Sequence, residues 1–311
     1  MSQKPKKILG IEIGGTKLQI ATGNTTGKLI QVHRLAVDRA RGAAGIRKQI
    51  EAALKEILRT IKPVGVGVGF GGPVDWRTGR ICRSHQIEGW SEFELGDWLR
   101  GITDAAVFVD NDANVAALGE ALRGAGRGAN PVFYVTLGSG VGGGLVFGGQ
   151  IYHGATPGEA EIGHLRLDRA GTIVESRCSG WAVDARIRAL KTGRSSSVLC
   201  KMMGAKTGGE ARHLSAALAQ NDSAVRRILK ETAADLAFGL SHVVHLFHPE
   251  VIVIGVGLAG VGEPLRAAVA EALRSLVMEA FAPGPRICLA ELGANVVPVG
   301  ALQLARQNCA G

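Results

Sequence analysis

Phe108-Val109-Asp110-Asn111-Asp112-Ala113-Asn114-Val115-Ala116-Ala117-Leu118-Gly119-Glu120 is the stretch on which the reading of this chain turns. It opens as an apolar strand, bends through Asn111 and Asp112, and runs on into an alanine-rich, helix-forming segment. Asp112 thus stands at a helix start, where two readings compete. As an N-cap, its carboxylate accepts amide protons of the first turn. As a general base, it takes a proton from a hydroxyl while the neighbouring Asn111 amide fixes another. Three polar side chains (Asp110, Asn111, Asp112) at the carboxyl end of a strand favour the second, because ligands of open α/β sheets bind there.

Upstream, Lys7 to Ile13 reads as a strand, Gly14, Gly15 and Thr16 as a tight turn, and Lys17 to Thr22 as the returning strand. A strand near Leu29 to Val37 follows, then a helix from about Gly42 to Ile61. Val64 to Phe70 alternates valine and glycine like a buried strand. Strands with helices between them make the first half α/β. Downstream the plan repeats: strand Val132 to Leu137, a turn through Gly138, Ser139 and Gly140, and a returning strand at Leu145 to Phe147. Ile151 to Glu175 is rich in loops. Helices are expected over Asp222 to His248, Pro264 to Phe281 and Val297 to Arg306, with a strand at Val251 to Ile254 leading into Gly255 and Gly257. The expected division is a small α/β domain over 1–112, to which helix 298–311 returns, and a large one over 113–297.

The chain has 311 residues, 46% apolar and 20% charged, enough for a substantial core. Its net charge of +9 is spread over helix faces that alternate with acidic and apolar positions, so no nucleic-acid surface is expected. Five scattered cysteines form no CxxC, so neither a disulfide framework nor a metal knuckle is suggested, and a reducing cytoplasmic setting is expected. No signal peptide is expected. Gly128 to Gly158 is poor in charge but broken by glycines, so no membrane span is expected either. There is no Walker motif. The GxGxxG patterns at Gly67 to Gly72 and Gly138 to Gly143 lack a dinucleotide setting, whereas two glycine hairpins together suit a polyphosphate, whose oxygens can meet backbone amides unobstructed.

At this point the chain resembles the ROK family of repressors and sugar kinases over nearly its whole length. The likeness rests on Leu137, Gly140, Val141, Gly142, Gly144, Leu145, Gly154, Ala160, Gly163 and His164 at the family's spacing, together with GIEIGGTK (10–17), DNDANVAALGE (110–120) and PEVIVIGVG (249–257). The resemblance implies a two-domain actin-like, RNase H-like ATPase fold with an interdomain cleft for ATP-Mg and a hexose. It implies Asp112 as catalytic base, with Gly72, Asn111, Asp112, Glu161, His164 and Glu175 about the sugar. Phosphates and nucleotide fall to Gly14, Gly15, Thr16, Lys17, Gly138, Ser139, Gly140, Gly255 and Gly257. The implied protein is a glucokinase-like homodimer of carbohydrate metabolism and glycolysis, with glucose O6 as the default acceptor. N-acetylmannosamine, mannose, allose and fructose, and polyphosphate as donor, stay open. The same core occurs in sugar-responsive regulators behind a front DNA-binding domain; with six residues before the first strand, no such domain is expected here. A sugar binder without catalysis is the remaining alternative.

The sequence departs from the family pattern in four places. Glu12 stands where an aspartate near magnesium is usual, Gln86 where an asparagine is expected, and Val256 inside what is usually a triple glycine. The family's cysteine-rich zinc knuckle is missing between His164 and Glu175, since Leu165 to Val174 holds no cysteine. No structural zinc is therefore expected, and something else must order that loop.

Overall fold

The computed structural model describes residues 4–84, 87–156, 158, 160–192, 197–203 and 207–309, which fall into two compact units. The first takes in the chain up to Arg127, 149–159 and the return from Ala294. Its sheet has the order β3 (Leu29–Ala36), β2 (Lys17–Gly23), β1 (Lys6–Ile13), β4 (Lys62–Phe70) and β7 (Ala106–Asn111). The β1-β2 and β2-β3 pairs are antiparallel hairpins, while β4 and β7 run parallel to β1. Between β4 and β7 lie a two-residue ladder, β5 (Val74–Asp75) with β6 (Arg80–Ile81), and α2 (Leu95–Thr103).

Alternation along β1 sends Leu9, Ile11 and Ile13 to one face, where α1 (Gly42–Thr60) lays down Ile46, Ile50, Leu54 and Ile57 at helical spacing. The other face receives α10 (Val296–Cys309), against which α3 (Asp112–Arg123) packs. That packing corrects the expected boundary at 112/113. A Cβ on Gly119 would lie 2.8 Å from the Val296 carbonyl oxygen, so α3 is fixed to α10 and belongs with the first unit. The segment 149–159, with its short strand β10 (Gln150–Ile151), belongs there too.

In the second unit β9 (Val141–Phe147) pairs antiparallel with β8 (Val132–Leu137), and β11 (Val251–Gly255) lies parallel between β8 and β12 (Arg286–Leu289). Helices α4 (Val174–Cys178), α5 (Gly180–Thr192), α6 (Val198–Met202), α7 (Leu214–Ala219), α8 (Ser223–Phe247) and α9 (Glu263–Arg274) enclose its core. Asp222 caps α8 by accepting from Ala224 N at 2.9 Å and Val225 N at 3.2 Å. The helix expected to run to Phe281 stops at Arg274. Leu276, Val277 and Phe281 still pack on the core, but as irregular chain and a short 3-10 turn, so an apolar pattern made for burial imitates a longer helix. No helix among the described residues is long and apolar enough to cross a membrane.

Candidate active site

In the first unit the capping question is settled by Asn111. Its Oδ1 accepts from Ala113 N at 2.8 Å and Asn114 N at 3.4 Å, and its Nδ2 donates to the Gly72 carbonyl at 3.1 Å. Asp112 is the first helical residue rather than the cap. Gly71 N donates to the Ile13 carbonyl at 2.9 Å. A Cβ on Gly71 would sit 3.3 Å from Asp112 Oδ2 and 3.5 Å from Gly14 Cα. The structure therefore gathers Gly14, Gly71, Gly72, Asn111 and Asp112 at one sheet end. Gly14 N closes the hairpin on Lys17 O at 2.8 Å, Arg39 Nε holds the Gly15 carbonyl at 2.6 Å, and Thr16 and Lys17 are exposed at the tip.

Glu12, 7% exposed, accepts from Gln19 Nε2 at 2.5 Å. Burial raises its pKa, and the Lys17 charge and the Gln19 bond lower it only in part. A carboxylate oxygen is the donor type magnesium takes, so Glu12 fits a place beside a metal-bound phosphate, with one oxygen already engaged by Gln19. A further pair was not foreseen from the sequence: His153 Nε2 lies 2.6 Å from Asp110 Oδ2. No motif links two residues 43 apart.

In the second unit the turn through Gly138, Ser139 and Gly140 is held on both sides. Gly138 O accepts from Gly180 N at 2.7 Å, and Glu175 Oε2 accepts from Val141 N at 2.9 Å. A Cβ on Gly140 would come within 2.5 Å of that same Glu175 oxygen, and one on Gly257 would lie 3.0 Å from Gly138 Cα. Gly138, Gly140, Glu175 and Gly257 thus form one cluster, with Ser139 exposed and Gly255 buried against Tyr134. At Gly140 and Gly257 the place of a Cβ is taken by Glu175 and by the backbone at Leu137 and Gly138, so packing of the turn requires glycine there, whereas at Gly138 the nearest atoms are 3.9 Å away.

Loss of hydration raises the pKa of Glu161; His164 lowers it and Glu175 raises it, so these three groups sense one another. His164 N closes a 3-10 turn on the Glu161 carbonyl at 3.0 Å.

The loop without cysteines is ordered as a small hairpin. Arg166 and Ile173 form an antiparallel bridge, Leu167 N donates to Thr172 O at 2.8 Å, and Val174 N donates to Leu165 O at 3.0 Å. Asp168 Oδ1 closes the turn by accepting from Thr172 N at 3.1 Å, and its bonds to the Thr172 side chain and backbone hold its carboxyl below the usual range. Backbone pairing fastens this loop. Cys178 is buried on α4, where desolvation pushes its thiol up to about 12. Gln86 lies outside the described residues.

Val256 has φ 59° and ψ 164°, a region open to glycine and strained for a β-branched residue. Val256→Gly is therefore expected to gain about 1 kcal/mol of stability, the strain released exceeding the extra chain entropy of glycine. Urea unfolding checks this, and a destabilised variant would show that the Val256 contacts outweigh the strain.

The model of the ROK family matches residues 8–308. The chain belongs to the ROK family. A glucokinase of Halalkalibacterium halodurans is 29% identical, over 96% of this chain and 95% of its own. The crystal structure of a ROK family glucokinase from Streptomyces griseus, in complex with glucose and AMPPNP, superposes with a TM-score of 0.82 at 30% identity, covering 97% of this chain and 99% of that one. A ROK family transcriptional regulator superposes with a TM-score of 0.84 at 19% identity, covering 98% of this chain and 78% of that one, a likeness of fold. The fold is thus the two-sheet, actin-like and RNase H-like fold of ROK proteins.

Proposed function

We propose that the protein phosphorylates a hexose hydroxyl with ATP-Mg, glucose O6 first among the candidates. The observation that carries this reading is the setting of Asp112: a carboxylate at the first helical position, behind the Asn111 cap, and close to the backbone of Gly71. Kinship with glucokinases supports it. ATP-Mg supplies the phosphoryl group and neutralises its charge. Asp112 accepts the proton of the attacking hydroxyl. Asn111, whose Oδ1 is spent on the helix, turns its amide to a sugar oxygen beside Gly72. Glu161, His164 and Glu175 take further hydroxyls, and the bond from Val141 N to Glu175 makes that sugar ligand also a brace of the second phosphate turn. Lys17 and the backbone of Gly14 to Thr16 and of Gly138 to Gly140 face the phosphates. Glu12 holds water or metal at the same end, and Gly255 and Gly257 admit the nucleoside.

The test is steady-state phosphorylation across a panel of glucose, mannose, allose, fructose and N-acetylmannosamine, with ATP-Mg and polyphosphate in parallel. Turnover on one sugar supports the reading and names the substrate. Absence of turnover in folded protein moves it to a sugar binder without catalysis.

Glu161 adds a pH dependence. Its ionised form is the one that accepts hydroxyl protons, and its pKa is raised by desolvation. Sugar affinity is therefore expected to fall as pH drops through a value above the usual glutamate range, and to be full above it. Glu161→Gln should bind more weakly at neutral pH and lose this acid limb. An unchanged limb would assign it to another group.

A further inference from the structure

We propose that His153 is a positioning residue that sets the Asp110-Asn111-Asp112 turn through Asp110. Asp110 is 3% exposed, and a carboxylate so buried must have its lone pairs occupied. Oδ1 accepts from Asn111 N at 2.7 Å and from Asn114 Nδ2 at 3.0 Å, and Oδ2 meets His153 Nε2 at 2.6 Å. The ionised carboxylate only accepts, so Nε2 carries the proton in this pair. Asp110 thereby grips the residue before Asp112 and one in the first turn after it. The grip is only as fixed as the imidazole.

The imidazole is in turn held flat. The Trp76 indole stacks on it with ring centroids 4.2 Å apart and planes 17° apart, and Arg77 Nη1 donates to Thr156 Oγ1 at 2.7 Å, tying the same two segments a second time. Removing the imidazole takes this partner from the buried Asp110 Oδ2, so the carboxylate must either find another partner or move. Both change what holds Asn111 N and the Asn114 amide, and so the aim of Asp112.

The proposal concerns the site assigned above and rests on the kinase reading for its rate prediction. The experiment compares the full-length protein with His153→Ala, His153→Asn and His153→Gln. It reads kcat and KM for the best sugar of the panel, the melting temperature, and hydrogen exchange at the amides of Asn111 to Asn114. His153→Ala is expected to lower kcat about tenfold or more, because small misplacement of a reacting group is costly, and to speed exchange at those amides. His153→Gln, whose amide nitrogen lies near the place of Nε2, is expected to recover most of both, and the shorter His153→Asn is not. A residue that only stabilised the fold would lower the melting temperature and leave kcat of the folded protein unchanged; that result, or wild-type exchange in His153→Ala, overturns the proposal. If His153→Ala does not fold, the contrast between Asn and Gln decides: equal kcat and exchange in the two overturns it. If the wild type phosphorylates no sugar, the kinase reading fails by itself. Exchange at Asn111 to Asn114 then still decides the role of His153.

Discussion

Asp112→Asn is expected to abolish turnover while sugar binding survives. The carboxamide has the shape of the carboxylate and keeps an acceptor oxygen, so it still fits beside Gly71, where an added Cβ would meet the carboxylate at 3.3 Å. The helix start also survives, because its bonds to Ala113 N and Asn114 N come from Asn111. What is lost is a favourable charge at the helix amino end, about 0.3–1 kcal/mol, and the capacity to take a proton. General-base catalysis contributes about 10²–10⁴-fold, so kcat should drop by at least that with ATP-Mg while the sugar dissociation constant changes little. Isothermal titration with the best sugar and a coupled phosphorylation assay check the two halves. Turnover retained within about tenfold in a preparation free of contaminating kinase would remove Asp112 from the role of base.

The parts of this site that local chemistry writes were legible in the sequence. The β1-β2 hairpin follows from glycines between two alternating strands, and the strand-to-helix corner at Asn111 and Asp112 from an apolar run that gives way to alanines. What was not legible depends on contacts distant in the chain. Either Asn111 or Asp112 could cap α3. The choice falls on Asn111, whose side chain is also drawn to the Gly72 carbonyl, 39 residues away. The pairing of His153 with Asp110 has no local signal, since a histidine after Ile151 and Tyr152 looks like any half-buried histidine. The hairpin that orders 165–174 hangs on one aspartate turn and a single bridge, too little to show as strand alternation. The helix expected beyond Arg274 was misread because burial and helicity write the same apolar pattern when the chain merely covers a core.

The alternation of valine and glycine in β4 has a meaning that only the fold gives it. Val66 and Val68 point into the core beneath α1, while Gly65, Gly67 and Gly69 lie on the opposite face at the period of a strand. A Cβ added along that face would run onto Cys309 Sγ from Gly65, onto the Ala301 carbonyl oxygen from Gly67 and onto Val297 Cγ1 from Gly69. The order 309, 301, 297 against 65, 67, 69 means that α10 lies antiparallel to β4 with its backbone against the sheet. Gly10 continues the strip on β1, where a Cβ would be 2.7 Å from the Pro298 carbonyl oxygen. Gly67→Ala is the severest of these substitutions, because the obstacle is rigid backbone rather than a side chain that can turn aside. Overpacking costs about 1–3 kcal/mol and sometimes more, so a loss of about 3 kcal/mol or more in urea unfolding is expected. Gly65→Ala should cost less, since Cys309 is in the last turn of α10 and its Sγ can swing away. Gly101→Ala is the control: it lies inside α2 with no atom within 4 Å of the added carbon, and should gain about 0.5–1 kcal/mol from reduced chain entropy. Wild-type stability in Gly67→Ala would mean that α10 does not rest on the glycine face.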